Sequence, residues 1–369
     1  MFHKNHIHTI ISAMLLAGLF LLHASTATAC TGIMLKTIDN SIVHGRTLEF
    51  GVPLDTSIAV IPRGYRFVGQ TPIGAGMPYA AKYAALGVMA FKDPNILDGI
   101  NEKGLAVGVF YFPGFAQYTP VSANNKQIAL SPADFPNWML TQFASIPELR
   151  KALENNQVII APTLIPGWGA QIPPFHYVAY DKSGMSLVIE PVNGKLVLHD
   201  NPFGVMTNSP TFDWHMTNFR NYITLSPNNV PKRTVNGQIF AELGQGNGMF
   251  GLPGDYTPPS RFIRAALFST NTIPSKTIEA GIKQVFHILN NFDIPLGVAR
   301  ETTNDVVQSD YTLLTAARDP QNLVYYYKSY DDQTIKMVQL NKFDLNARTI
   351  KLYNTKSTQT FVNISDKLT

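Results

Sequence analysis

The sequence predicts an α+β fold in which helices pack on antiparallel sheets. Turn-forming residues recur about every ten residues between short β-rich runs, and only a few longer stretches have helical periodicity. No linker, low-complexity segment or internal repeat divides the chain of 369 residues. Hydrophobic residues make up 45% of the chain and aromatic residues 11%, which is typical of a compact globular protein. We therefore expect one α+β unit over residues 30–369.

The individual elements are predicted from hydrophobic periodicity and from the turn-forming residues between them. Runs with strand composition between turn signals predict strands at 32–36, 41–45, 57–61, 86–91, 105–110, 158–161, 176–180, 186–190, 311–316, 323–329 and 335–339. Helical periodicity predicts helices at 131–142, 146–155, 211–225, 260–268 and 276–289. The first of these helices has a good start signal, because Ser131 is a capping residue and Pro132 suits the first helical position.

Residues 1–29 have the pattern of an export signal. Lys4 lies in a polar start, residues 10–22 form an apolar stretch, and Ala27-Thr28-Ala29 provides a small-residue cleavage site. The apolar stretch is shorter than the roughly 20 residues of a transmembrane helix, so an uncleaved anchor is the weaker alternative. A bacterial lipoprotein is a second alternative, since its lipid is attached to a cysteine after the cleavage site. Lipoprotein sites usually carry leucine where this chain has Ala27.

Cys30, the only cysteine of the chain, directly follows the predicted cleavage site. Cleavage after Ala29 would make it the first residue, with a thiol and a free α-amine on the same carbon. An α-amine has a reference pKa of about 7.7 to 8.0, which suits it to take the thiol proton at neutral pH. No internal disulfide is possible with a single cysteine, so the thiol has no cross-linking role. The position predicts a nucleophile that leader removal activates.

Charge and histidine spacing exclude two other classes of function. The formal net charge of +4 and the absence of Lys/Arg runs argue against a nucleic-acid surface. The histidines after the leader are widely spaced, without a metal-binding pattern, and are expected to be surface or core residues: His44, His176, His199, His215 and His287. The glycines of 244–251 lack the context of a phosphate-binding loop, so this segment is interpreted as a flexible loop.

A hairpin at the start of residues 30–369 would bring charged residues to Cys30. The turn pair Asp39-Asn40 folds the chain back, so residues 46–48 would lie across from Cys30. Arg46 would then stabilise a thiolate. Glu49 lies three residues further on, which on a regular strand is the opposite face. For both side chains to face Cys30, the strand would have to end or bulge near Thr47. By themselves, both residues could equally be ordinary strand-end charges.

Five blocks, in order and in spacing, resemble the choloylglycine hydrolase family, the N-terminal-nucleophile amidases that comprise bile salt hydrolases and penicillin V acylases. The resemblance spans residues 30–327. The blocks are Cys30-Thr-Gly-Ile; His44-Gly-Arg-Thr-Leu-Glu49; Ile100-Asn-Glu-Lys-Gly-Leu-Ala-Val107 with Tyr111-Phe-Pro-Gly; Asn201-Pro-Phe-Gly-Val-Met-Thr-Asn208-Ser-Pro with Phe212-Asp-Trp-His; and Gly251-Leu-Pro-Gly-Asp255 with Ser260-Arg261-Phe. It implies a four-layer αββα sandwich, the N-terminal-nucleophile (Ntn) hydrolase fold, with no cofactor and no metal.

The resemblance also implies catalytic roles for several residues. Cys30 is the nucleophile, its α-amine is the base, and Arg46 lies beside the thiol. Glu49 occupies a position where the family usually has aspartate, near the amine, so the geometry of its longer side chain is open. The residue at Tyr111 contributes a main-chain N–H to the oxyanion.

Two further polar residues complete the site that the resemblance implies. Asn208 supplies a side-chain N–H to the oxyanion, and Arg261 completes the polar ring. Local sequence alone leaves other roles open, because Asn208 could cap the following helix and Arg261 could be a solvated charge.

The substrate is the least constrained part of the prediction. Phe50 and Tyr111 rank highest among aromatic and methionine residues that either belong to the core or meet substrate; the others are Tyr79, Tyr83, Met89, Phe112, Phe115 and Tyr118. In the family, tyrosine at the position of Tyr111 is found in penicillin V acylases and asparagine in bile salt hydrolases. This favours a phenoxyacyl or fatty-acyl amide. Conjugated bile acids and N-acyl homoserine lactones remain alternatives.

The expected protein is an exported bacterial cysteine amidase, periplasmic or secreted, that forms a thioester acyl-enzyme. The resemblance implies a homotetramer that acts on a small acyl amide, with no nucleic-acid partner and no membrane anchor after cleavage. Two other classes stay open: a lipoprotein acylated on Cys30, and an inactive protein that binds acyl amides.

Overall fold

The structure is a computed structural model that describes residues 29–368 except 52–53, 91–93, 166–170 and 304–305. The predicted export signal therefore lies outside the described residues apart from Ala29, as does Phe91, the end of one predicted strand. Among the described helices, none combines the length and apolar character needed to cross a membrane.

Twenty strands and five α-helices are found in the described residues. The strands are β1 Cys30–Lys36, β2 Ile42–Phe50, β3 Thr56–Ile61, β4 Arg66–Thr71, β5 Gly74–Ala80, β6 Ala85–Ala90, β7 Asn95–Asn101, β8 Ala106–Tyr111, β9 Ala129–Leu130, β10 Ile159–Ile160, β11 Phe175–Tyr180, β12 Ser186–Val192, β13 Lys195–Asp200, β14 Arg233–Val235, β15 Gln238–Phe240, β16 Ala299–Thr303, β17 Val306–Asp319, β18 Val324–Ser329, β19 Lys336–Gln339 and β20 Lys351–Asn354. The helices are α1 Asp134–Gln142, α2 Ile146–Glu154, α3 Phe212–Phe219, α4 Pro258–Asn271 and α5 Ile278–Leu289.

Two large antiparallel sheets form the centre of the molecule. The first sheet has the strand order β1-β2-β17-β18-β19, with β16 also paired to β17. The second sheet has the order β13-β12-β11-β8-β7-β6-β3-β20. The inner strands of the second sheet are buried along their whole length, as in β6 and β8. They are covered on both faces, which explains why they are short continuous apolar runs rather than alternating ones.

The sheets and helices form four layers. Helices α4 and α5 pack on the first sheet, and α1 and α2 pack on the second sheet. Apolar residues fill the space between the two sheets: Ile58, Val60, Leu86, Val88, Ile100, Leu314, Ala316, Tyr325, Tyr327 and Leu340. The predicted α+β fold with an αββα layer order and antiparallel sheets is confirmed.

The first hairpin has the predicted register. Cys30 lies opposite Leu48, and the turn passes through Asn40 with a left-handed φ of 64°. Gly45 of β2 faces α5, where a Cβ would lie only 2.2 Å from Val285. The glycine therefore lets the helix approach the sheet closely.

The predicted elements differ from the structure mainly at their ends. The helix predicted from 131 begins at Asp134, and its N-cap position is Ala133 rather than Ser131. Ser131 still contacts the first turn, because its Oγ accepts a hydrogen bond from the Asp134 N–H at 3.1 Å. The helix predicted over 211–225 ends at Phe219 and continues as one 3₁₀ turn. The strands that sequence patterns missed are β4, β5, β7, β9, β13, β14, β15, β16 and β20.

Candidate active site

Cys30 begins β1, which is the edge strand at one end of the first sheet. Its free edge is bridged to a distant segment, because Gly32 exchanges two main-chain hydrogen bonds with Met206, of 2.7 and 3.0 Å. In an antiparallel register this bridge brings Asn208, two residues after Met206, opposite Cys30. The Cys30 N–H accordingly donates to Asn208 Oδ1 at 2.8 Å. In this structure that nitrogen is a peptide amide; in a chain cut after Ala29 it would be the α-amine.

Arg261 of α4 joins both partners of this bridge. Its Nη1 donates to the Cys30 carbonyl oxygen at 2.5 Å and to Thr31 Oγ1 at 2.9 Å. Its Nη2 donates to Asn208 Oδ1 at 2.7 Å. The side chain is buried, and desolvation lowers its pKa to about 10, so it is still a cation at neutral pH. The alternative that Arg261 is a solvated charge is therefore wrong.

The hydrogen bonds of the Asn208 side chain are all made with residues of this site. Its Nδ2 donates to the Tyr111 carbonyl oxygen at 2.9 Å, and its Oδ1 accepts from Cys30 and Arg261. Helix α3 starts only at Phe212, with Thr211 at the N-cap position. The alternative that Asn208 caps this helix is therefore wrong.

Arg46 approaches Cys30 from the side of the second sheet. Its Nη1 donates to the Val109 carbonyl oxygen at 2.7 Å and to that of Leu97 at 3.3 Å. The guanidinium carbon lies 4.3 Å from the centre of the Phe110 ring, a cation–π contact. The guanidinium is buried, so its position is determined by the packing of the two sheets.

Glu49 lies on the opposite face of β2 from Arg46. Its Oε1 accepts a hydrogen bond from Thr312 Oγ1 at 2.9 Å, and its buried Oε2 has no hydrogen-bond partner among the described residues. Desolvation raises the pKa of Glu49 to about 8, although Arg261 counteracts this.

β2 neither ends nor bulges near Thr47, which was the condition for Arg46 and Glu49 to face Cys30 together. β2 runs without interruption from Ile42 to Phe50, and the irregularity lies in β17, between Thr312 and Leu314. Arg46 and Glu49 keep the opposite faces that a regular strand dictates. Both still influence the thiol, because Cys30 lies at the end of the neighbouring strand, between the two faces.

The thiol itself is in a dry environment. Cys30 is 5% exposed, and desolvation raises its pKa, while Arg46 and Arg261 act in the opposite direction. In the chain that retains Ala29, Cys30 is therefore a protonated thiol at neutral pH. Because the thiolate is the nucleophile, the site needs a base that removes this proton.

Two cavities border the site. The larger, of about 580 Å³, has mostly apolar walls with several polar and charged groups, and it is lined by Ala29, Pro113, Asn208, Ser209, Tyr256, Thr257, Pro258, Arg261, Ile294, Val298, Ala299, Arg300, Glu301, Gln308 and Asp310. The smaller, of about 30 Å³, is mostly apolar and is lined by Cys30, Arg46, Leu48, Glu49, Phe50, Leu54, Leu97, Val109, Phe110, Tyr111 and Phe175. Cys30 lines the smaller cavity, whereas Asn208 and Arg261 line the larger.

The structure sorts the aromatic and methionine candidates. Phe50 and Tyr111 lie in the wall of the small cavity. The others do not line either cavity: Tyr79, Tyr83, Met89, Phe112, Phe115 and Tyr118. Tyr118 lies behind the wall, where its hydroxyl accepts from the Phe175 N–H at 2.7 Å.

Several residues around Cys30 were not predicted. Leu48 is not one of them, because it lies directly opposite Cys30 within the segment 46–48 that the hairpin predicted. Asp310 also lines the larger cavity, and desolvation raises its pKa to about 7. No local pattern marks Asp310 or Thr312, because only the pairing of β17 with β2 brings them here. Within the described ranges, no group of three or more His, Cys, Asp or Glu residues is arranged to hold a metal ion.

Comparison with known proteins assigns the chain to a family. The family model described as "Linear amide C-N hydrolases, choloylglycine hydrolase family" matches residues 30–353. This chain belongs to the choloylglycine hydrolase family. It is accordingly a hydrolase of linear amide C–N bonds, and the resemblance noted in its sequence is confirmed.

Individual members of the choloylglycine hydrolase family agree over nearly the full length of the match. A bile salt hydrolase/transferase of Clostridium perfringens is 34% identical over 333 residues, which are 89% of this chain and 98% of the relative. A penicillin V acylase of Pectobacterium atrosepticum is 25% identical over 367 residues, which are 94% of this chain and 89% of the relative.

Solved structures of family members have the same fold. A mutant of the conjugated bile acid hydrolase from Clostridium perfringens superposes with a TM-score of 0.80 at 34% identity, covering 91% of this chain and all of the other. The penicillin V acylase from Agrobacterium tumefaciens superposes with a TM-score of 0.69 at 25% identity, covering 88% of this chain and 91% of the other. The predicted Ntn-hydrolase fold is confirmed.

The buried Glu49 predicts a pH dependence of stability. In a chain that retains Ala29, Glu49 has a pKa of about 8 when folded and an ordinary carboxyl pKa of about 4.3 when unfolded. Between these values the folded state holds the extra proton, so stability falls as pH rises. We expect Glu49→Gln to remove this fall. At pH 9 the variant should be more stable than the parent chain by about 1 to 3 kcal/mol, and at pH 4 it should show no such gain.

Urea unfolding between pH 4 and 9 measures this difference in the free energy of unfolding. Glu279→Gln is the matched control, because Glu279 is an exposed glutamate on α5 and its substitution should have no pH-dependent effect. A Glu49→Gln difference that is constant across the pH range would contradict the assignment of a raised pKa to Glu49.

Proposed function

We propose that this chain is an exported cysteine amidase whose nucleophile, Cys30, becomes the N-terminal residue when residues 1–29 are removed. The observation that supports this best is the convergence of the Cys30 nitrogen, Asn208 and Arg261 within hydrogen-bond distance next to a buried thiol. The family supplies the reaction class, and the geometry supplies a role for each group.

The reaction begins with a proton transfer within Cys30. The free α-amine takes the proton of the Cys30 thiol, and Sγ attacks the carbonyl carbon of the amide. One N–H of the amine would remain hydrogen-bonded to Asn208 Oδ1, which accepts from this nitrogen at 2.8 Å. That hydrogen bond fixes the orientation of the amine. The base is therefore held in place before the substrate arrives.

The negative charge that develops on the carbonyl oxygen needs hydrogen-bond donors. The Asn208 amide has two N–H bonds, and one of them is used by the Tyr111 carbonyl oxygen. We assign the second to the oxyanion, together with the main-chain N–H of Tyr111. Removal of one such donor typically lowers kcat by about 10² to 10³.

Collapse of the tetrahedral intermediate breaks the C–N bond. The ammonium of Cys30 returns its proton to the leaving amine, and a thioester to Sγ remains. The α-amine then takes a proton from water, which hydrolyses the thioester and frees the carboxylic acid. We assign the stabilisation of the ammonium form of the amine to Glu49, whose Oε2 has no hydrogen-bond partner among the described residues. The positive charge would in turn lower the pKa of Glu49 and keep its carboxylate ionised.

The preferred substrate is a phenoxyacyl or fatty-acyl amide of the penicillin V type. Aromatic side chains of Phe50, Phe110 and Tyr111 form an apolar wall beside the thiol, which favours an apolar acyl group. The cavity of about 30 Å³ accommodates only the first atoms of that group, so the rest would extend beyond it. Conjugated bile salts are the second candidate, because the bile salt hydrolase/transferase of Clostridium perfringens is 34% identical. N-Acyl homoserine lactones have the same design of an apolar acyl group on a polar amine.

Cys30→Ala and Cys30→Ser should each lower amidase activity by at least about 10³-fold while the protein stays folded, because no other thiol can form the thioester. Initial rates and thermal unfolding of the exported protein measure both properties. Intact mass of the wild type should show an N-terminus at Cys30 and, during turnover, an acyl adduct.

A chain that carries one extra residue before Cys30 separates the amine from the thiol. This chain keeps the thiol, but the nitrogen of Cys30 is a peptide amide rather than an α-amine. It should therefore also be inactive. Full activity in Cys30→Ala contradicts the mechanism. A lipid adduct on Cys30 would instead indicate a lipoprotein, and a free Cys30 without turnover would indicate a binding protein.

A parallel assay of three amides tests the substrate class. We expect hydrolysis of penicillin V or a fatty-acyl amide to be faster than that of glycocholate, with N-acyl homoserine lactone as the third substrate. Release of the free amine, measured as initial rate against concentration, gives kcat/KM for each. Hydrolysis confined to the bile conjugate would contradict the preference and support the second candidate.

We also propose that the protein is a homotetramer in which the β14–β15 hairpin contacts another copy. Every residue of both strands is exposed, including Ile239 and Phe240. Exposed apolar groups of this kind indicate an interaction surface.

The double variant Ile239→Asp with Phe240→Asp should shift the mass in solution toward smaller assemblies, because buried charges oppose association. Light scattering after size-exclusion chromatography measures this mass. Ile273→Asp, at an exposed apolar residue outside the hairpin, is the control and should leave the assembly unchanged. A monomeric wild type would rule out the proposal.

A further inference from the structure

Three histidines that the sequence suggested to be ordinary surface or core residues lie together behind Asn208. His176 on β11 and Glu190 on β12 are cross-strand neighbours, one position beyond the Tyr177–Ile189 pair. His199 on β13 lies on the outer side of Glu190, with its Nε2 3.4 Å from Glu190 Oε2. His215 lies on α3. His176, Glu190 and His215 are all buried.

The contacts of His176 join Glu190 to the main chain before Asn208. Its Nδ1 lies 3.2 Å from Glu190 Oε1, and its Nε2 lies 3.1 Å from the Thr207 carbonyl oxygen. A carbonyl oxygen can only accept a hydrogen bond, so Nε2 is the donor to Thr207. The ring also stacks on Phe112, with ring centres 4.2 Å apart.

Glu190 is held as the ionised partner. Desolvation acts to raise its pKa, but hydrogen bonds from His176 and His199 outweigh this and bring the pKa to about 2. Its Oε1 also accepts from the Phe212 N–H at 3.0 Å, at the start of α3. A carboxylate at a helix N-terminus is stabilised by the helix dipole. Glu190 thus joins His176 to the helix that carries His215.

His215 binds the next carbonyl group along the chain. Its Nε2 donates to the Asn208 carbonyl oxygen at 2.9 Å, and its ring stacks on Phe262, the neighbour of Arg261. Its Nδ1 is buried without a hydrogen-bond partner among the described residues. Burial lowers the pKa of His215 to about 4, so this ring is neutral at neutral pH. The carbonyl groups of residues 207 and 208 are therefore each held by one buried histidine.

We infer that His176, Glu190 and His215 are positioning residues that hold the main chain of Asn208 so that its side-chain amide faces the reacting carbonyl. The inference rests on the proposed role of Asn208 in the oxyanion site. The direction of its Nδ2 follows from the main chain, and the two histidines bind the main chain on both sides of its Cα. A displacement of about 1 Å in such a group can lower the rate by about 10²-fold.

The matched pair His215→Leu and His215→Gln tests the hydrogen bond rather than the volume. Leucine removes the donor to the Asn208 carbonyl oxygen, whereas glutamine can restore it. We expect His215→Leu to lower kcat by about tenfold to a hundredfold with little change in KM, and His215→Gln to recover most of it. The substrate is the amide turned over fastest in the three-amide assay. His287→Leu, at an exposed histidine of α5, is the control and should keep wild-type kinetics.

A double-mutant cycle with Asn208→Ala shows whether the effect passes through Asn208. If it does, Asn208→Ala combined with His215→Leu should be no slower than Asn208→Ala alone, because the positioned group is already absent. Losses that multiply in the double variant overturn the inference. Wild-type activity of Asn208→Ala has a different meaning, because it would remove the proposed oxyanion role itself.

Discussion

The free edge of β1 is the constraint on which the active site depends. An edge strand leaves main-chain groups without partners in its own sheet, and here a single bridge between Gly32 and Met206 uses them. The bridge brings Asn208 opposite Cys30, and Arg261 then binds both. Gly32 is required for this geometry, because a Cβ there would lie 2.9 Å from the Phe110 ring. The strand that carries the nucleophile thus also recruits its polar partners.

Burial sets the electrostatics of the site, because charges removed from water must be balanced by neighbours. Arg46 and Arg261 approach Cys30 from opposite faces of the first sheet. Both arginines lower the pKa of the thiol, whereas Glu49 raises it, and Arg261 also lowers the pKa of Glu49. With a peptide amide at Cys30, both the thiol and the Glu49 carboxyl have raised pKa values. Conversion of that amide to an amine adds the one group that can accept the thiol proton. Under the proposed mechanism, removal of residues 1–29 would therefore activate the buried thiol by supplying this base.

Local sequence predicted the first hairpin and the helices, although it missed other local hairpins such as β4–β5 and β14–β15. The Asp39-Asn40 turn and the two-residue period predicted that Arg46 to Leu48 face Cys30, and helical periodicity located all five helices. Packing between the sheets was not predictable in this way. β7 contains Asp98 and Gly99, which suggest a turn, but Asp98 is buried and paired with Arg318 at 2.6 Å. Asn208 resembled a helix cap, and the three histidines around it are spaced too widely to suggest a cluster. Five blocks resembling one family supplied the site residues that no local pattern could.

The long sequence separations in the site have a consequence for folding. Cys30 is bound by Asn208, 178 residues away, and by Arg261, 231 residues away. Contacts of such high contact order carry a large loop-closure entropy and form late in folding. The thiol is present as soon as the chain is made, but Asn208 and Arg261 reach Cys30 only when both sheets and α4 have assembled. Partly folded chains therefore carry an exposed cysteine without a catalytic site, and hydrolytic activity reports completion of the whole fold.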